Sequence, residues 1–112
     1  VQAHAIAKYI RVSPKKLRRI CNVIRNKDLV GAINVVTHMQ QSNARYILKI
    51  LNSVKANALV KDPNITSADL WITELKVDMG PSFMRWRPRA RGRAYPILKR
   101  TSHISVTVSN EV

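Results

Sequence analysis

Acidic residues are scarce in this sequence: six Asp and Glu stand against 20 Lys and Arg, giving a formal charge of +14 over 112 residues. A small compact body with that imbalance repels itself unless counter-charge is supplied, so a polyanionic partner is implied. Cysteine is limited to Cys21. That excludes an intramolecular disulfide framework, and with only His4, His38 and His103 scattered around it no zinc site can be assembled. The cytosol or an organelle interior fits such cysteine usage. Glycine occurs only at Gly31, Gly80 and Gly92, too sparsely for a nucleotide-binding loop. Aromatics make up 5% of a chain that is 46% hydrophobic, so the core is expected to be built from Val, Ile, Leu and Ala. No apolar run approaches the roughly 20 residues that cross a bilayer, and the N-terminal stretch lacks the apolar centre of a secretory signal. No membrane partner is expected. The length suits one domain, residues 1–112, with an adequate core of its own.

What is present is segregated. Lys8, Arg11, Lys15, Lys16, Arg18, Arg19, Arg25 and Lys27 all precede Asp28, the first carboxylate. In the middle, Arg45, Lys49, Lys55, Lys61 and Lys76 are balanced by Asp28, Asp62, Asp69, Glu74 and Asp78. Between Met79 and Asn110 the imbalance returns, with Arg85, Arg87, Arg89, Arg91, Arg93, Lys99 and Arg100 and no acid. Two cationic ends straddling a neutral middle are expected to meet the same polyanion.

Gln2 to Ile10 alternates weakly and carries Ile6, Tyr9 and Ile10, which predicts a short strand. Ser13-Pro14 marks a helix start: the serine hydroxyl is expected to cap an orphan N–H, and proline gives up a donor that had no partner. Leu17, Ile20, Cys21 and Ile24 then form one apolar stripe, with Lys15, Arg18, Arg19 and Arg25 opposite. Asn26-Lys27-Asp28 predicts a turn in which Asp28 caps a short second helix, its buried face Leu29, Ala32, Ile33 and Val36, ending near His38. The longest helical period follows Gln40-Gln41-Ser42, with Ala44, Ile47, Leu48, Leu51, Val54 and Ala58 inward and Arg45, Lys49 and Asn52 outward. Asp62-Pro63-Asn64 breaks it.

From Ala68 the period is two: Trp71, Leu75, Val77 and Met79 are expected on one face, Glu74, Lys76 and Asp78 on the other. Ile104, Val106 and Val108 alternate with His103, Ser105, Thr107 and Ser109 in a last strand, expected to pair antiparallel with the strand before it. The order β-α-α-α-β-β gives an α+β fold, three helices packed on a small antiparallel sheet, with a long extended β-hairpin. No internal repeat interrupts it.

That hairpin spans residues 80–97, leaving 1–79 and 98–112 as the globular body. It is too long for an idle connection. Arginines recur at every second position from Arg85 to Arg93, so in an extended chain they project from one face at intervals of roughly 6.5 Å. Pro88 and Gly92 flank the expected turn, and each arm could reach on the order of 30 Å beyond the body. Ordering such a segment costs roughly 1–2 kcal/mol per residue, which its few apolar side chains cannot repay. Phosphates can: guanidinium forks bind their oxygens bidentately and each neutralised phosphate releases counterions. Trp86 and Tyr95 are suited to stacking on unpaired bases.

Catalysis lacks its raw material, since no His–carboxylate or Cys–His pairing follows from the spacing. An enzyme is not expected, nor a cofactor, a metal or a small-molecule substrate. Cys21 reads as a small core residue, and His103 as a phosphate contact or an exposed strand residue. The expected RNA-binding set is Lys8, Arg11, Ser13, Lys15, Lys16, Arg18, Arg19, Arg25, Arg85, Trp86, Arg87, Arg89, Arg91, Arg93, Tyr95, Lys99, Arg100 and His103. A general basic DNA- or RNA-binding protein is the alternative, but no helix looks like a base-reading recognition helix. A membrane-surface protein would need a bulkier aromatic face than the cationic helix has.

Arg87-Pro-Arg-Ala-Arg-Gly-Arg93, followed by Lys99-Arg-Thr-Ser-His-Ile-Ser-Val-Thr-Val108, closely resembles the signature of the bacterial-type large ribosomal subunit protein twenty-two family. Ile10-Arg-Val-Ser-Pro-Lys-Lys-Leu17 and Ser53-Val-Lys-Ala-Asn-Ala58 resemble that family's first and third helices, so the likeness covers nearly the whole chain. It implies a structural constituent of the large subunit that binds several domains of its RNA and supports assembly. The body would lie beside the nascent-chain exit, and the hairpin would line the exit tunnel with its tip at Arg87, Pro88, Arg89, Ala90, Arg91, Gly92 and Arg93. Implied partners are large-subunit ribosomal RNA, neighbouring ribosomal proteins and the nascent polypeptide. Trp86 stands where the family more often has a smaller aromatic. Tyr95-Pro96-Ile97 looks more like plastid versions, so the resemblance implies a ribosome of a bacterium or organelle, plastid rather than mitochondrion.

Overall fold

The structure, a computed structural model, describes residues 2–88, 92 and 94–110. Strand β1 (Gln2–Ile10) is followed by helices α1 (Pro14–Ile24), α2 (Leu29–Thr37) and α3 (Ala44–Lys61), a 3-10 turn (Ser67–Asp69), and strands β2 (Trp71–Met79), β3 (Phe83–Pro88), β4 (Ala94–Lys99) and β5 (Ser102–Ser109). The fold is the expected α+β: three helices on an antiparallel sheet of order β1-β5-β2. The last strand is thus the central one. It pairs with β1 from Gln2↔Ser109 to Ile10↔Ser102 and with β2 from Trp71↔Ser109 to Met79↔Ser102, bringing the two ends of the chain together.

The apolar stripes converge as their periods require. Leu17, Ile20, Cys21 and Ile24 of α1, Leu29, Ala32 and Val36 of α2, and Ala44, Ile47, Leu51, Val54 and Ala58 of α3 pack on Leu75, Val77, Ile104, Val106 and Val108. Ile33 and Leu48 are half-buried, while Ile50, which the stripe omitted, is buried. Asp28 caps α2 as expected, accepting from Gly31 N at 3.1 Å. Ser13 does not cap with its hydroxyl. Its carbonyl accepts from Lys16 N at 3.2 Å instead, and Pro14 removes one of the orphan donors that a capping side chain would serve.

β2 departs from its expected pattern. The register against β5 shifts between Ile72 and Glu74, so strict alternation fails there: Ile72 is buried and Trp71 is 43% exposed. Such a bulge moves every earlier side chain to the other face. Met79, at the strand's end, is also exposed. A second shift, in β1 between Ala7 and Ile10, leaves Lys8 and Tyr9 facing His103. Tyr9 there takes φ 59°, a conformation costing a bulky residue of order 1–3 kcal/mol. Asn26, with φ 65°, makes the left-handed turn that ends α1, a position asparagine tolerates.

The segment expected as a hairpin is a two-stranded ladder, with Phe83↔Lys99, Met84↔Leu98, Arg85↔Ile97, Trp86↔Pro96, Arg87↔Tyr95 and Pro88↔Ala94 paired. Gly92 takes φ +70°, consistent with a glycine-dependent turn. Arg89, Ala90, Arg91 and Arg93 lie outside the described residues. The molecule measures 65 × 25 × 18 Å with a radius of gyration of 17.2 Å, against roughly 13 Å for a compact chain of this length.

Candidate nucleic-acid interface

The two cationic ends meet at the base of the hairpin. Arg11, Val12, Ser13, Lys16, Asn43, Lys99 and Arg100 line an open cleft of about 340 Å³. A second hollow of about 320 Å³, lined by Lys16, Arg19, Gln41, Ser42 and Asn43, continues from it through Lys16 and Asn43. Among the described residues no carboxylate lines either. Five cations and several neutral amide and hydroxyl groups therefore share one acid-free surface, which suits a phosphate backbone.

Local interactions hold this surface in shape. Pro14 opens α1 so that Lys16 and Arg19 fall on its outer side, away from Leu17 and Ile20. Val12 N donates to Ile10 O at 2.8 Å, a tight bend that carries the chain from β1 into α1. The buried Ser102 hydroxyl donates to Val12 O at 2.6 Å, tying that bend to β5. Thr101, also wholly buried, donates its hydroxyl to Pro81 O, and Gly80 N donates to Thr101 O at 3.0 Å. Lys99 and Arg100 are thus displayed from a stapled base. Gly80 is required by this closeness: a Cβ there would stand 2.5 Å from Thr101 Oγ1 and 3.1 Å from the His103 ring.

Other expected site residues have different surroundings. Arg18 Nε and Nη2 donate to Val77 O at 3.2 and 2.9 Å, and Arg25 donates to Leu75 O, so both guanidinium groups clasp the outer edge of β2. His103 Nδ1 accepts from Tyr9 N at 3.1 Å, which in a neutral ring places the proton on Nε2. Lys8 and Lys15 are exposed. Arg85, Trp86 and Arg87 lie in β3 and Tyr95 in β4. Asn43, Gln41 and Ser42, missed from sequence, belong to the cleft because the α2–α3 connection folds beside the start of α1. The signal was there as a polar loop, but its neighbour was not. Among the described residues no three His, Cys, Asp or Glu side chains gather to hold a metal. Burial pushes the Cys21 thiol up to about 11, partly opposed by Arg25, so it is no thiolate nucleophile near neutrality.

Comparison with known proteins bears on the same surface. A family model described as "Ribosomal protein L22p/L17e" matches residues 5–109. The large ribosomal subunit protein uL22 of Mesoplasma florum is 42% identical over 99% of this chain and 98% of its own length. That of Syntrophus aciditrophicus is 42% identical over 99% and 100%, and that of Finegoldia magna 43% identical over 96% of each. The matched region runs from β1 to the end of β5, through the cleft and the hairpin alike, and agrees with the likeness read from Arg87–Arg93 and Lys99–Val108. The chain belongs to the ribosomal protein L22p/L17e family.

Proposed function

We propose that this chain is a structural constituent of the large ribosomal subunit that binds the subunit's RNA and supports its assembly. The observation that carries the reading is the meeting of Arg11, Lys16, Lys99 and Arg100, drawn from opposite ends of the sequence, in one cleft whose described lining includes no carboxylate. RNA phosphates supply the counter-charge that the chain lacks, and the body, residues 1–79 and 98–112, serves as the platform from which residues 80–97 extend. In this reading the tip, Arg87 to Arg93, enters the RNA and lines the path of the nascent polypeptide, with neighbouring ribosomal proteins as further partners. The ribosome is that of a bacterium or a plastid, the names of the relatives quoted above being bacterial. The protein performs no catalysis: its task is to order RNA strands that repel one another.

Titrating large-subunit ribosomal RNA across a KCl series tests the reading with two variants. One carries Lys16→Ala, Lys99→Ala and Arg100→Ala; the other replaces Arg87, Arg89, Arg91 and Arg93 with Ala. Each is expected to weaken binding and to flatten the dependence of log affinity on log salt by roughly 2–4 units, with thermal unfolding of the body nearly unchanged. A slope unaltered in both variants would refute RNA binding through these groups.

A further inference from the structure

Tyr9 is an aromatic residue at a position that disfavours one. Its φ of 59° lies in the left-handed region that glycine and asparagine enter readily and bulky residues seldom do. Burial does not account for the choice, because the residue is 61% exposed. What the fold supplies is restraint. The Tyr9 N–H donates to His103 Nδ1 at 3.1 Å, and the two rings meet at 89° with centroids 5.0 Å apart. The imidazole is backed by Gly80, where even a Cβ would come within 3.1 Å of it. The phenol ring is thus held from one direction and open elsewhere.

Its flanks are cationic. Lys8 precedes it and Arg11 follows two positions on, and Arg11 forms part of the cleft wall. An exposed, restrained π face between cations offers an unpaired base a surface on which to stack while phosphates are held nearby. We infer that Tyr9 is a stacking platform for an unpaired base of the RNA, an inference that rests on the RNA-binding reading above. The flanking cations favour nucleic acid over a protein segment as the occupant.

The test titrates large-subunit ribosomal RNA with the full chain and with Tyr9→Phe, Tyr9→Ala and Tyr9→Asn across a KCl series. Tyr9→Phe is expected to bind as the parent does. The other two are expected to lose roughly 5- to 150-fold in affinity with no change in salt slope, since a stacking contact is lost and no phosphate contact is. Asparagine accepts the left-handed backbone, so Tyr9→Asn should keep the parent's thermal midpoint, and its weakness cannot then be ascribed to misfolding. Equal affinity of Tyr9→Asn and the parent overturns the stacking role and leaves the ring to His103 or a protein neighbour. A loss accompanied by a flattened slope overturns it too. A parent chain that fails to bind the RNA removes the RNA-binding reading itself, and this inference with it.

Discussion

Cys21 sits on the inner stripe of α1 between Ile20 and Ile24, with no exposed surface, and burial raises its thiol from 9.0 to about 11. The folded state therefore holds the thiol proton more tightly than the unfolded chain does. The associated stability is fully present below about pH 9 and is lost as pH rises toward and through about 11, by up to roughly 3 kcal/mol. Urea unfolding of the parent and of Cys21→Ala, compared across that window, isolates this contribution from the titration of lysines and tyrosines. The stability difference between the two should shrink as pH rises, and a constant difference would show that the thiol is not desolvated. This residue was legible in the sequence because period 3.6 alone places it inward. Ser13, Thr101 and Ser102 were not. A hydroxyl's partner depends on what the fold brings near it: a helix start whose backbone carbonyl already accepts for Ser13, and a stapled hairpin base for the other two.

The three-stranded sheet has two edges, and helices cap both with side-chain donors. On β2, Arg18 and Arg25 occupy the carbonyls of Val77 and Leu75; on β1, Asn57 Nδ2 donates to His4 O at 2.9 Å and Lys61 Nζ to Gln2 O at 2.8 Å. Open edges invite pairing with other chains, and occupied carbonyls discourage it. Periodicity correctly put Arg18 and Arg25 off the apolar stripe, but it could not show that these side chains reach a strand 50 to 59 residues away. Replacing both with lysine keeps the charge and removes the planar fork, which is expected to cost about 1–2 kcal/mol in urea unfolding and to leave the RNA salt slope unaltered. Unchanged stability would show that the guanidinium clasp on the β2 carbonyls contributes nothing to holding the sheet. The hairpin makes the opposite case. Its alternating arginines and turn residues made an extended β-hairpin legible in the sequence, whereas the register that begins at Phe83↔Lys99 was not, since an arginine-rich stretch has no buried apolar face to fix one. Every core residue among the described residues lies outside Met84–Tyr95, so a chain lacking that segment should keep its helical circular dichroism and unfold cooperatively. Loss of the helical signal would mean that the body needs the hairpin in order to fold.

At the scale of the whole molecule, the decisive event is the pairing of Gln2 with Ser109 and of Ile10 with Ser102. Charge counting foresaw a common partner for the two ends, but only the central position of β5 joins them into one cationic surface. That closure concentrates like charge: the unfolded chain carries the same +14 spread over a larger volume, so self-repulsion opposes folding more than it opposes the unfolded state. Salt then acts on the protein with two signs. Raising KCl from about 0.01 M to about 0.1 M shortens the screening length from roughly 30 Å to roughly 10 Å, which should raise the urea midpoint of the isolated chain. Over the same range the affinity for RNA should fall, because each counterion released from phosphate gains less entropy in a more concentrated salt solution. The two titrations, run on one preparation, measure the same charges in their two roles. A urea midpoint indifferent to salt would mean that the cationic surface is already neutralised within the chain, and the case for a polyanion as its missing counterpart would fail.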